Sequence, residues 1–237
     1  MTVLGESVRV DANELAARYP QRRSALLPIL HLLQSVQGYV SNDGIALAAD
    51  VLDLTPAEVT AVATFYTMYY KKPVGQFHVG VCINPGCAML GGDAVWERLT
   101  EHLGIDNHEV TTDGMISLER IECQAACTHA PVMTANWEFL DDVTPDSAVS
   151  LVDRLRRGEP VASTRGPSMI PSFMANERTL AGFADDLSDE GPNADDKMLA
   201  GLRRAKELGM RPLTAAEIAE RKAAELVAMD DGQEVGQ

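Results

Sequence analysis

The sequence has little positive charge and few thiols. Its 237 residues include 20 Lys and Arg against 35 Asp and Glu, a net charge of −15, and only four cysteines. Such a chain repels the phosphates of nucleic acids and anionic lipids, so we expect neither as a main partner. The acidity keeps a chain soluble, and it can also steer a basic partner or lower the potential of a bound redox group.

Long apolar runs, secretory signals and nucleotide loops are missing too. No stretch approaches the roughly 18 apolar residues of a membrane span, and the first ten residues do not resemble a secretory leader. We therefore expect a cytoplasmic protein without direct membrane insertion. In that reducing compartment thiols stay free or bind metals more often than they pair. With no glycine-rich nucleotide loop and no evident acid–base pair, we expect no catalytic residues on this chain.

Residues 1–72 are predicted to form a helical bundle. Apolar residues recur at helical spacing behind Ser24, which is the predicted N-cap, and Gly38 ends that helix. The stretch "LTPAEV" starts another helix. Thr55 is its N-cap, proline takes the first helical position, and Glu58 completes a capping box.

Residues 73–165 are predicted to form an α/β module built like a thioredoxin sheet, so that the chain is of the α+β or α/β class. "QFHVGVCI" alternates as a strand, a helix follows and ends at Gly104, and an Asp-Gly turn connects a hairpin. Two short strands precede a last helix, which Thr144 opens. This order places helices on the faces of one sheet.

Residues 166–237 are predicted to be an acidic C-terminal extension. It holds 14 acidic and 8 basic residues, and it includes the low-complexity run "DDLSDEGPNADD". Helices are predicted at residues 195–208 and 215–229. The composition is typical of a disordered tail, and equally of an extension that folds over a partner.

The four cysteines fall into two pairs. Cys82 and Cys87 form a C-x4-C pattern, and Cys123 and Cys127 form C-x3-C. Each pair follows a predicted strand, and in a thioredoxin-like sheet two such loops can lie side by side. Four thiolates are what a [2Fe–2S] cluster needs, two for each iron. Small residues in both loops leave backbone N–H groups free to approach the sulfurs and stabilise the reduced cluster.

Spacing alone leaves other sites open. Structural zinc accepts pairs separated by two to four residues, so a zinc-stabilised scaffold is an alternative. A redox dithiol would need C-x-x-C, which the sequence lacks, and two disulfides suit a small secreted protein. His129 follows the second pair, and with four cysteines present we predict a neighbour of the site, not a ligand. His78 is predicted to be a packed or solvent-facing histidine of the strand.

Four stretches together resemble one family. They are "YPQRRSALLPILHLLQSVQGYVS", "VATFYTMYYKKPVG", "CINPGCAMLGG" and "CQAACTHAP". They are similar to the thioredoxin-like [2Fe–2S] subunit of the NADH-dehydrogenase module of respiratory complex I. The resemblance implies one [2Fe–2S] cluster held by Cys82, Cys87, Cys123 and Cys127. It also implies a partner subunit that binds FMN and NAD, further peripheral-arm subunits, and a place on the cytoplasmic side of the membrane.

The sequence departs from that family in two places. Members often have glycine where Ala125 stands, which would alter the geometry of the loop, and the chain after residue 166 is longer than in compact members. The cysteine pattern does not separate this family from the equivalent subunit of an NAD-linked hydrogenase or formate dehydrogenase. A free-standing ferredoxin is a further alternative. The subunits that co-purify with the chain would distinguish these functions.

Overall fold

The computed structural model describes residues 4–185, 191 and 194–231, and the chain divides into two compact units, residues 1–193 and 194–237. The larger unit begins with four helices: α1 (Glu6–Ala17), α2 (Leu26–Gln37), α3 (Asn42–Leu52) and α4 (Pro56–Phe65). Their apolar faces share one core, in which Leu15, Ile29 and Val59 are almost completely buried. The predicted helical bundle is therefore present.

Local signals fix most of the helix ends. Thr55 and Glu58 form the predicted capping box of α4, and Gly38 ends α2 with φ 75°. The prediction that Ser24 caps α2 is wrong. Ser24 lies inside a 3₁₀ turn, Arg22–Ala25, and α2 begins directly behind it without a side-chain cap. A residue inside a helical turn does not have the extended backbone that an N-cap needs.

The second half of this unit is one mixed sheet. Its strands are β1 (Phe77–Cys82), β2 (Glu109–Val110), β3 (Ile116–Ile121), β4 (Met133–Ala135) and β5 (Glu138–Leu140). They lie in the order β2-β3-β1-β4-β5. Strands β1 and β3 are parallel, with Cys82 opposite Ile121, and the remaining pairs are antiparallel. The predicted hairpin across the Asp-Gly turn is present as β2 and β3, and the two predicted short strands are β4 and β5, which pair with each other.

Three helices accompany the sheet: α5 (Pro85–Met89), α6 (Gly92–Leu103) and α7 (Pro145–Arg156). Val95 and Leu99 of α6 and Val152 of α7 belong to the same buried core as Val79 of β1, and all four are fully buried. Burial of each such side chain contributes roughly 1.5–3 kcal/mol. Helices α6 and α7 thus hold the central strand, and with it the cysteine that ends it.

A helix that the sequence did not predict, α8 (Phe173–Leu180), connects the helical bundle to the sheet. Its Glu177 is completely buried and accepts hydrogen bonds from His31 Nδ1 at 2.6 Å and Gln34 Nε2 at 2.8 Å. Its Asn176 donates to the backbone carbonyl of Asn136, in the turn before β5. The division into residues 1–72, 73–165 and 166–237 stays a prediction.

The smaller unit contains α9 (Ala200–Glu207) and α10 (Ala215–Asp231). Helix α9 begins at Ala200, five residues later than the helix predicted over 195–208, and α10 begins at the predicted residue. Thr214 and Glu217 form the predicted capping box. Much of the predicted acidic low-complexity run, at 186–190 and 192–193, lies outside the described residues. Among the residues that the structure describes, no helix combines the length and hydropathy required to cross a membrane.

Candidate metal centre

The first cysteine pair lies where β1 passes into a short helix. Cys82 is the last residue of β1, and Cys87 lies in the short helix α5, where the sequence predicts a loop. Pro85 takes the first position of α5, where its missing N–H costs least. The two cysteines are 1% and 3% exposed. This pair is therefore buried and does not lie on a surface loop.

Gly92 makes the close packing of this pair possible. A Cβ atom at this position would lie 2.8 Å from the carbonyl oxygen of Cys82 and 2.9 Å from that of Cys87. Both neighbours are backbone atoms, which cannot rotate away. The start of α6 thus lies directly against both cysteines only because residue 92 has no side chain.

The second pair reaches the same edge of the sheet from β3. This strand runs parallel to β1 and ends at Ile121, two residues before Cys123. The Sγ atoms of Cys123 and Cys127 are 3.6 Å apart, and both residues are exposed. Ala125 lies between them with φ 55°, a left-handed backbone that costs a residue other than glycine roughly 1–2 kcal/mol.

Electrostatic interactions couple the two pairs. Burial, and after it a hydrogen bond with Cys82, raise the pKa of the Cys87 thiol to about 11, although a backbone hydrogen bond from Val132 works in the opposite direction. Negative charge on Cys127 also raises this pKa. The pKa of Cys127 is raised chiefly by its hydrogen bond with Cys123, with a smaller contribution from the charge of Cys82. Cys127 therefore lies within electrostatic reach of both cysteines of the buried pair.

The donors and their surroundings fit a two-iron cluster. Over the described ranges, no three His, Cys, Asp or Glu side chains are grouped as ligands of a single ion, and the cysteines are arranged two and two. A [2Fe–2S] cluster takes two thiolates on each iron. Ile121, Ala126 and Val132 pack around the buried pair, with Phe139 behind them. This apolar wall keeps water away from one side of the site.

The two histidines are buried. Nδ1 of His129 lies 3.0 Å from a carboxylate oxygen of Asp142. The role of His129, as a neighbour of the site and not a ligand, stays a prediction. His78 is packed, which is one of the two predicted outcomes. Its Nε2 lies 3.0 Å from the Tyr70 hydroxyl and 3.2 Å from Glu119, and its ring packs on Trp137.

The polar groups around His78 escaped sequence reasoning, because no motif connects them. Tyr70 donates to Glu119 at 2.8 Å across 49 positions of sequence. Burial by itself would raise the pKa of Glu119, but the hydrogen bonds and charge of His78, with the hydrogen bond from Tyr70, lower it on balance. Strand alternation in "QFHVG" gives the only signal, since it places His78 on the face opposite Val79.

A mixed sheet with cysteine pairs at the ends of two parallel strands defines a class, the thioredoxin-like [2Fe–2S] ferredoxins. The model of that family matches residues 12–156, and the chain belongs to this family. Among curated proteins, it is 50% identical over 205 residues to the E subunit of the NADH-quinone oxidoreductase of Mycobacterium tuberculosis. The match covers 86% of this chain and 81% of that protein.

Two further similarities extend this comparison. NADH-quinone oxidoreductase subunit 2 of Thermus thermophilus is 38% identical over 149 residues, which cover 62% of this chain and 82% of that one. Among solved structures, an NAD+-reducing [NiFe]-hydrogenase in the H2-reduced state matches with a TM-score of 0.52 at 19% identity. It covers 57% of this chain and 22% of that chain, and it bears on the fold alone.

Proposed function

We propose that this chain is the electron-transfer subunit of an NADH-quinone oxidoreductase. Cys82, Cys87, Cys123 and Cys127 are the proposed ligands of one [2Fe–2S] cluster. The observation that carries the proposal is the position of one cysteine pair behind each of two neighbouring parallel strands, β1 and β3, where charge on Cys127 raises the pKa of Cys87. The E subunit of an NADH-quinone oxidoreductase matches this chain over most of its length, and this similarity supports the same function.

The two cysteine pairs have different roles in the proposed site. When bound, the cluster supplies reversible one-electron chemistry. Cys82 and Cys87 anchor the buried side, because β1 and α5 fix their backbones. The N–H of Val132 donates toward Cys87 and stabilises negative charge on its sulfur. Cys123 and Cys127 form the exposed edge, which is the side from which an electron partner can approach.

The proposal assigns FMN and NAD to a partner subunit. The chain itself has no glycine-rich nucleotide loop, and the proposed partner is the flavin- and NADH-binding subunit of the same complex. We also propose that the chain contacts other peripheral-arm subunits and that the complex places it on the cytoplasmic side of the membrane. The relatives carry the names of NADH-quinone oxidoreductase subunits, which is what supports these assignments.

Substitution of one cysteine from each pair tests the ligand set. Cys82→Ser and Cys127→Ser are each expected to lower the iron and sulfide content and to weaken the absorption of the cluster. Gly86→Ala is the matched control, because residue 86 lies next to Cys87 and a methyl group there meets no atom within 4 Å. Far-ultraviolet circular dichroism reports whether the helical bundle stays folded. Unchanged spectra in both serine variants would overturn the assignment.

Co-purification tests the partner. Affinity purification of the tagged chain from its native host is expected to recover a subunit that contains FMN and oxidises NADH. Recovery of a nickel-containing subunit would instead favour the NAD-linked hydrogenase.

A further inference from the structure

The four cysteines differ in their exposure to solvent. Cys82 and Cys87 are 1% and 3% exposed and lie in an apolar cluster with Val132. Cys123 and Cys127 are exposed, and their sulfur atoms are 3.6 Å apart. A small oxidant dissolved in water therefore reaches the second pair far more readily than the first.

The backbone around the two pairs differs in the same direction. Cys82 is held in β1, where its N–H donates to the carbonyl of Val132 at 3.0 Å, and Cys87 is held in α5 against Gly92. Residues 122–126 belong to no helix or strand, and Cys127 begins a short 3₁₀ turn, Cys127–His129. A disulfide requires the sulfurs at about 2 Å, so Cys123 and Cys127 must approach by roughly 1.5 Å. Side-chain rotation on this irregular loop can supply that approach.

We propose that in the cluster-free chain Cys123 and Cys127 are a peroxide-responsive pair, which closes reversibly to a disulfide while Cys82 and Cys87 stay reduced. Hydrogen peroxide oxidises one thiol to a sulfenic acid and releases one water. The second thiol attacks that sulfur, so that the S–S bond forms, the S–O bond breaks and a second water leaves. Two thiols are oxidised, and one peroxide is reduced to two waters.

The consequence for the site rests on the proposed function. A disulfide removes two of the four thiolates, so a cluster cannot be inserted until a thiol reductant reopens the pair. It also keeps both sulfurs from oxidation to sulfinic acid, which is not reversed by thiols. The exposed pair therefore makes cluster insertion depend on the redox state of the surroundings.

The test uses the full-length chain from iron-depleted cells, with its helix content checked by circular dichroism. One equivalent of hydrogen peroxide is added, free thiols are alkylated, and the protein is digested with trypsin. Cleavage after Arg98 and Arg120 puts the two pairs on different peptides. The peptide with Cys123 and Cys127 is expected to lose two hydrogens and to carry no alkyl group. The peptide with Cys82 and Cys87 is expected to carry two.

Two variants are the controls. Cys82→Ser should still form the disulfide, whereas Cys123→Ser should not. Its Cys127 should stop at sulfenic acid with one equivalent of peroxide and reach sulfinic acid only when a second equivalent is added. Equal oxidation of all four cysteines would overturn the inference. Circular dichroism is needed beside it, because an unfolded chain would also expose all four cysteines to peroxide. A disulfide between Cys87 and Cys127 would also overturn it.

Reconstitution separates this inference from the proposed function. Iron and sulfide should enter the peroxide-treated chain only after dithiothreitol is added. Full insertion without the reductant would defeat the redox dependence and leave the proposed function intact. If the disulfide forms and reopens but the reduced chain takes up no iron, the proposed function fails while the thiol pair stands.

Discussion

Substitution of Gly92 by alanine tests how the buried cysteine pair is held. The added methyl group would lie 2.8 Å from the carbonyl oxygen of Cys82, roughly 0.6 Å closer than the 3.4 Å at which ordinary contact begins. The carbonyl of Cys87 is nearly as close, so the start of α6 has to move away from both cysteines. Ligand sites tolerate displacements of only about 0.5 Å, and the geometry of the pair is therefore expected to fail.

The expected loss of stability follows from the same contact. Overpacking of this kind costs roughly 1–3 kcal/mol, and the better helix propensity of alanine offsets at most about 1 kcal/mol. A net loss of about 1–2 kcal/mol lowers the midpoint of thermal unfolding by about 2–8 °C in a chain of this size. Iron content, visible absorption and thermal circular dichroism of Gly92→Ala measure both effects.

Gly86→Ala is the control for this experiment, because it adds the same methyl group in open space, in the neighbouring helix α5. We expect it to keep its iron and its melting temperature. If Gly92→Ala binds iron and melts as Gly86→Ala does, then close packing of α6 does not hold the cysteines, and the reasoning is refuted.

Three further predictions concern other parts of the chain. Ala125→Gly removes the left-handed strain at φ 55° and should raise the melting midpoint by about 2–4 °C; a lower midpoint would contradict this. Glu177→Ala leaves two buried hydrogen-bond donors of α2 without their carboxylate, so it should cost roughly 3–5 kcal/mol in urea unfolding, whereas half-exposed Met174→Ala should cost far less. Hydrogen bonds from Thr111 and then from Arg156 lower the pKa of Asp113 from 3.8 to about 2. Its contribution to stability is therefore present above pH 3.8 and lost as the pH falls toward 2, and Asp113→Ala should differ from the parent protein only above that range. A difference that grew on acidification would show that this sign is wrong.

The parts of the fold that local chemistry determines could be predicted from the sequence. Thr55 and Glu58 form a capping box within four residues, and the Asp-Gly turn lies between two alternating runs. The placement of both cysteine pairs at one edge of the sheet was predictable from strand order, because the segments behind neighbouring parallel strands share an edge. In each case the cause lies within a few residues or in the topology of one sheet.

The remaining features depend on contacts that are distant in sequence. Helix α8 lies in a stretch with the composition of a Pro- and Ser-rich linker, and it is held by hydrogen bonds between Glu177 and residues almost 150 positions earlier. The short helix at Pro85–Met89 has too few residues for helical periodicity to appear. The contact between Gly92 and the backbone of Cys82 likewise has no sequence signature. These features could therefore be recognised only in the folded structure.

The central claim is that four cysteines hold one two-iron cluster. Electron paramagnetic resonance of the dithionite-reduced full-length chain, together with iron, sulfide and zinc analysis of the same sample, tests it most directly. We predict a red-brown protein with about two irons and two sulfides per chain and a signal of about one spin, as one [2Fe–2S] cluster requires. A colourless protein with one zinc per chain and no signal would contradict the account.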